Sequence, residues 1–312
     1  MKRFILKTLL LLLPIAALAI SMEYLLQHIP NDYVYKKNYL DKHAKDIEIL
    51  ILGASDVYYG IDPVYFSHIT FNAAHVSQSL DMNYAIFKKY QNDFNNLKFI
   101  VLTVPSFALW SKLEDATDSW RMKNYALYYG IDTKSWEDHS ELLMNTLRNN
   151  FRRLSNSYIK KENDIYCTEL GWGTAYRSRD AVDLEENGKT TASNHTVDIH
   201  LEENMKVFAE NMQILNSFAE FCNQKNAKLI ILTTPTYHTY WENLKKEQLD
   251  KMVETLDNFV MKHNNCYYLN WIANPDFVKE DFHDANHLDE TGAKKLSLKL
   301  VNWIDSLTVS GK

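Results

Sequence analysis

Short apolar runs recur along the chain, and helix-period patterns fill the spaces between them. Residues 47–52, 99–104, 229–234 and 266–269 have the length and β-branched content of buried strands, and 69–73 is a weaker fifth. Because these runs are nearly continuous rather than alternating, they predict a mainly parallel sheet covered on both faces. Helical periodicity is clearest over 201–224, where Met205, Phe208, Met212, Leu215 and Phe218 recur every three to four residues. It returns over 247–263 and again over 290–306, with Ala293, Leu296, Leu300, Val301 and Ile304 on one face. Strand alternating with helix predicts a three-layer α/β/α sandwich.

Two stretches depart from this alternation. Lys2, Arg3 and Lys7 precede an uncharged, almost wholly apolar run over 8–20, so residues 1–26 are expected to be a signal anchor or a signal peptide. Ala17, Leu18 and Ala19 offer a small-x-small cleavage site, whereas counting from Phe4 to Leu26 reaches the roughly 20 residues a bilayer needs. Either way the remainder, 27–312, faces the far side of a membrane as one α/β domain. Residues 110–204 are too long for an ordinary connection and are expected to form a helical and irregular insertion. Its first part predicts an amphipathic helix through Leu143, Leu147, Phe151, Leu154 and Tyr158, with Arg148, Arg152, Arg153, Lys160 and Lys161 nearby on a face that is expected to be solvated, an anionic polymer or lipid headgroups being the alternative. Its second part, 162–200, is polar and turn-rich around Gly171, Trp172 and Gly173.

Charge narrows the partners. The chain has 34 basic and 40 acidic residues; without Lys2, Arg3 and Lys7 the basic count falls to 31 and the net charge to about −9, which disfavours nucleic acid. Cys167, Cys222 and Cys266 lie far apart with no metal-ligand spacing, and His195 and His200 also lack it, so no metal site is expected. One disulfide with a spare thiol stays open. No glycine-rich phosphate loop is present, and no cofactor is called for.

The chemistry sits at two places. Gly53, Ala54 and Ser55 follow the strongest strand, which puts Ser55 at its C-terminal edge, where open α/β sheets bind ligands. The glycine permits a sharp turn, and the Ser55 N–H is a potential oxyanion donor. More than two hundred residues downstream, Asp284 and His287 are three apart, a spacing that on a helical turn brings carboxylate and imidazole to one side. Ser55 as nucleophile, His287 as base and Asp284 as its orienting partner make a split triad. His283 is a competing base and Asp281 and Asp289 are competing carboxylates, but solvated loop charges are the expectation for all three. Tyr237 and His238, after another strand, are candidate substrate contacts.

With these residues the chain resembles the SGNH or GDSL superfamily of serine esterases and acyltransferases. The family's strand followed by Gly-x-Ser matches Gly53 to Ser55, and its Asp-x-x-His before a helix-starting glycine matches Asp284 to Gly292. Tyr59, Gly60, Ile61, Asp62 and Pro63 are similar to exported or anchored relatives, the D-alanyl transfer and alginate-type O-acetyltransferase proteins. The resemblance implies a flavodoxin-like SGNH fold and acyl transfer on a carbohydrate or cell-surface polymer through an acyl-serine. It also implies a membrane-bound O-acyltransferase as donor partner. Two blocks differ: the segment 72–79 lacks the oxyanion glycine, and Thr103, Val104, Pro105 and Ser106 stand where the oxyanion asparagine belongs. Ser77, Gln78 and Ser106 are the expected substitutes. The altered blocks also admit a catalytically silent binding or assembly protein on this fold.

Overall fold

The computed structural model describes residues 1–309. In chain order the helices are α1 (Lys2–Gln27), α2 (Asp32–His43), α3 (Ser55–Gly60), α4 (Leu80–Tyr90), α5 (Met122–Asn124), α6 (Leu147–Leu154), α7 (Leu184–Asn194), α8 (Glu202–Lys225), α9 (His238–Trp241), α10 (Lys246–Lys262) and α11 (Glu290–Val309). The strands are β1 (Ile49–Leu52), β2 (Thr70–Asn72), β3 (Phe99–Thr103), β4 (Lys228–Thr233), β5 (Cys266–Asn270), β6 (Phe282–Asp284) and β7 (His287–Leu288). Two compact units divide them. One comprises Met1–Lys37 with Asp118–Ile165; the other holds Asn38–Thr117 and everything from Tyr166 onwards. The long insertion thus contributes 118–165 to the first unit, while its flanks belong to the second.

In the second unit, β1 to β5 form one parallel sheet in the order β2-β1-β3-β4-β5. Every residue of β1, β2 and β3 is buried, and the apolar runs of β1 and β3 are what a sheet needs when helices cover both faces. On one face Ile49, Ile51, Val101, Ile230 and Leu232 pack with Leu296, Leu300 and Ile304 of α11. The alternate residues Leu50, Leu52, Ile100, Leu102, Leu229 and Ile231 point the other way and are fully buried. Phe218 of α8 packs there against Phe87 of α4, ring centroids 4.8 Å apart and planes tilted by 42°. This is a three-layer α/β/α sandwich in the doubly wound order whose crossovers change side between β1 and β3, and such a switch point opens a crevice at the strands' C-terminal ends.

The first unit carries α1, which is long and apolar enough to cross a bilayer. At its far end Glu23 accepts hydrogen bonds from Ser140 Oγ (2.8 Å) and from the N–H groups of Glu141 (2.9 Å) and Leu142 (2.8 Å). Glu141, itself buried, receives Lys123 Nζ and Arg153 Nη1, each at 2.6 Å.

Candidate functional site

Ser55 is the first residue of α3, directly after β1 and the turn at Gly53. Gly53 has φ +155°, and a β-carbon there would overlap Thr103 Oγ1 and Val57 Cγ2, so the close approach of the turn after β1 to the end of β3 and to α3 demands glycine. Asp56, one residue on and buried, receives Thr103 Oγ1 at 3.2 Å and Thr234 Oγ1 at 3.5 Å. It thereby ties the start of α3 to the ends of β3 and β4. Burial pushes the Asp56 carboxyl up, against the opposing pull of His287 and the Thr103 hydroxyl. Asn72 at the end of β2 holds the other end of α3, its side-chain N–H groups reaching the carbonyls of Val57 (2.7 Å) and Ile61 (2.9 Å).

Asp284 and His287 do not lie on a helical turn. They are opposed residues of the β6–β7 hairpin, and the tight turn through Ala285 and Asn286 brings their side chains together. A three-residue spacing is met by this hairpin as well as by a helix, and the chain after β5 has no helical periodicity to choose between them. The turn is anchored from both sides: Asn187 of α7 accepts the N–H of Ala285 (2.9 Å), and Tyr237 donates its N–H to the Ala285 carbonyl (2.8 Å).

The three side chains then align. His287 Nε2 lies 2.8 Å from Ser55 Oγ, and His287 Nδ1 lies 2.9 and 3.0 Å from the two oxygens of Asp284. A carboxylate at Nδ1 fixes the proton there and leaves the Nε2 lone pair for the serine hydroxyl. Burial alone would raise the Asp284 carboxyl; the charge and hydrogen bond of His287 and the N–H of Asn286 outweigh it and hold the group below the usual carboxylate range.

An aromatic wall flanks the imidazole. Tyr59 and Tyr176 stack at 3.8 Å, Tyr176 stacks on His283 at 4.1 Å, and both tyrosines present themselves edgewise to His287 at 6.2 and 5.2 Å. Trp172 donates to the Tyr59 carbonyl, and Gly173 lies so close to the Tyr58 ring that a β-carbon would overlap it. The turn-rich segment around Gly171 to Gly173 therefore braces α3. Tyr176 has no signal in sequence; Tyr59 lies within the stretch that resembles exported relatives.

The remaining expected site residues are placed as follows. Ser77 has φ +60°, a left-handed backbone uncommon for a residue with a side chain. Gln78 is buried and directs its amide to Asn83 Oδ1 (2.6 Å) and the Ala73 carbonyl (3.4 Å). Ser106 is buried 3.4 Å from the Tyr240 hydroxyl, which lies 2.8 Å from His195 Nδ1. Gln78 and Ser106 are thus engaged within the fold. Tyr237 donates its hydroxyl to Glu185 (3.0 Å), and His238, half-exposed, lies between Glu185 (3.7 Å) and Glu242 (3.3 Å). Neither is brought to the Ser55–His287 pair by any hydrogen bond described.

Asp281 and Asp289, expected to be solvated, are both buried. Asp281 accepts Lys295 Nζ at 2.5 Å and the Val278 N–H at 2.8 Å; Asp289 caps α11 through the N–H groups of Thr291 (2.8 Å) and Gly292 (2.9 Å). Their work is to fix the hairpin and the helix behind it. Among the described residues no group of three or more histidine, cysteine or acidic side chains is arranged to hold a metal ion, and the three cysteines are free thiols.

The sheet and these contacts define an α/β protein with a serine–histidine–aspartate constellation at the C-terminal edge of its sheet. No family model matches the chain, and no curated protein matches it. Among solved structures it is similar to a candidate acylhydrolase from Bacteroides fragilis NCTC 9343, at 10% identity and a TM-score of 0.38 over 85% of this chain and 95% of the other. It is also similar to a candidate platelet activating factor from Streptococcus pneumoniae, at 10% identity and a TM-score of 0.42 over 94% of this chain and 98% of the other.

Proposed function

We propose that the chain is a membrane-anchored, envelope-facing serine acyltransferase or esterase of SGNH type, acting on O-acyl groups of a carbohydrate or cell-surface polymer. The observation that carries the chemistry is the continuous line from Ser55 Oγ through His287 to Asp284, with every contact between 2.8 and 3.0 Å. Ser55 Oγ attacks the ester carbonyl and passes its proton to His287 Nε2, while Asp284 stabilises the imidazolium at Nδ1. Collapse of the tetrahedral species breaks the ester bond; the leaving alkoxide takes the proton from Nε2 and an acyl-serine remains. Water or an acceptor hydroxyl then attacks, with His287 again taking the proton. The oxyanion is received by the Ser55 N–H at the start of α3 and by the left-handed turn at Ser77.

The location rests on α1 and the basic residues ahead of it, which favour a cytoplasmic N-terminus and an outward domain. A transferase of this kind draws its acyl group from a membrane-bound O-acyltransferase partner.

The purified chain should label with a fluorophosphonate and hydrolyse an aryl acetate, and Ser55→Ala should abolish labelling and lower turnover on the order of a thousandfold or more. Gain of acylated glycan at the expense of free acid, once glycan acceptors are added, marks transfer rather than hydrolysis. Absence of Ser55-dependent labelling and turnover would overturn both enzymatic roles and leave a binding or assembly protein, consistent with Gln78 and Ser106 being engaged elsewhere.

A further inference from the structure

Helix α6 is built inside out for a helix in water. Its inward residue is Asn150, fully buried and donating to the carbonyls of Leu142 (3.1 Å) and Asn145 (3.5 Å), and Arg153 is drawn to the buried Glu141. Leu147 and Phe151, four apart and so on one side of the helix, are 62% and 56% exposed, and Leu143, in the turn before the helix, is 56% exposed. A soluble helix buries its apolar stripe and hydrates its polar one. Here polar side chains are turned inward, Asn150 onto backbone carbonyls and Arg153 onto Glu141, while Ile159 and Trp136 are likewise 78% and 71% exposed.

The same unit fixes what that face meets. Glu23, near the end of α1, is held by residues 140–142, immediately before Leu143, and Tyr158 donates its hydroxyl to the Leu25 carbonyl at 2.9 Å. The outward apolar residues are therefore fastened to the last turns of the apolar helix, at the level where its uncharged stretch ends. From Thr8 to Met22 that stretch spans roughly 22 Å at the helical rise, short of the ~30 Å hydrocarbon core. Arg148, Arg152, Lys160 and Lys161 are exposed beside the apolar positions, the mixture that suits the boundary between acyl chains and phosphates. Trp136 adds the aromatic character of membrane interfaces.

We propose that Leu143, Leu147, Phe151 and Ile159 form a collar that enters the outer face of the bilayer crossed by α1, with the arginines and lysines at phosphate level. This rests on α1 being a retained anchor and is independent of the Ser55 chemistry.

The test uses the full chain in phosphatidylcholine vesicles containing phosphatidylglycerol. In a Cys167→Ser background, nitroxides are placed through Leu147→Cys, Phe151→Cys, Leu12→Cys within α1, and Lys262→Cys at the exposed end of α10. Labels at 147, 151 and 12 should collide several-fold more with oxygen than with an aqueous nickel chelate, and the label at 262 should do the reverse. If 147 and 151 behave like 262 while 12 remains in lipid, the collar is overturned and the anchor stands. If 12 is aqueous as well, the anchor fails and the collar with it. Shielding of 147 and 151 from both reagents would overturn lipid contact in favour of a protein covering this face.

Discussion

His195 shows how a residue can matter through what it cannot do. Its ring packs on Phe107 (centroids 4.3 Å apart) and takes the Tyr240 hydroxyl at Nδ1, and burial pushes its ionisation down to about 4. Because the folded state refuses a proton that the unfolded chain accepts near the ordinary histidine value, its contribution is complete above about pH 6.5 and is lost as pH falls towards 4. Between pH 7.5 and pH 5 this amounts to about 2 kcal/mol. In detergent, the urea-unfolding free energy of the wild type should fall by that much more than that of His195→Gln, which keeps an acceptor for Tyr240 but does not titrate. Equal losses in the two proteins would refute the assignment. At this scale sequence reveals polar residues by type and position relative to strands, which suffices for Ser55, Asp284 and His287. It does not reveal burial: Asp281 and Asp289 look like loop charges until Lys295 and the first turn of α11 are placed around them. Nor does it reveal stacking across a gap in sequence as long as that between Tyr59 and Tyr176.

At the level of elements, the turn between β1 and α3 depends on Gly53, because the Thr103 side chain and Val57 occupy the space a β-carbon would need. Gly53→Ala should cost about 2–4 kcal/mol, read as a loss of thermal or urea stability, since neither neighbour is the free end of a long side chain. It should also reduce fluorophosphonate labelling at Ser55 even under conditions where the protein stays folded, because the nucleophile's helix starts two residues later. A stable, fully labelled Gly53→Ala protein would contradict both expectations. The strands of this sheet were legible because burial on both faces leaves continuous apolar runs: expected 99–104 became Phe99–Thr103 and expected 266–269 became Cys266–Asn270. The long helices α8, α10 and α11 were equally plain from their period. By contrast, α7 has only Leu184, Gly188 and Ala192 buried among polar residues. Small residues leave little amphipathic signal, so a helix that braces the hairpin through Asn187 hides in a segment that reads as loop. In sequence the hairpin reads as a helical turn because i,i+3 neighbours meet in both, and only the pairing of β6 with β7 distinguishes them.

At the scale of the whole chain, the sequence break around 110–204 marked an insertion but not its allegiance. Residues 118–165 pack with the N-terminal helix because Glu23, alone among the apolar residues at the end of α1, offers a carboxylate that satisfies one hydroxyl and two consecutive backbone N–H groups. Without that acceptor the N–H groups of Glu141 and Leu142 lose their partner, and leaving such groups unsatisfied costs about 1–3 kcal/mol. Glu23→Ala should therefore loosen residues 140–154 locally, raising amide hydrogen exchange there about ten- to a hundredfold, as expected for sub-global opening of that free energy. The amides of β1, β3, β4 and β5 belong to the other unit, with its own core, and should exchange as in the wild type. Exchange measured by mass spectrometry on the full chain in lipid nanodiscs separates the outcomes. Unchanged protection over 140–154 would show that Glu23 does not hold this segment, whereas loss of protection spreading through the parallel sheet would show that the two units unfold as one. The first would also remove the tie between the segment before α6 and the end of α1 on which the proposed collar depends, so this one carboxylate links the stability of the small unit to that proposal.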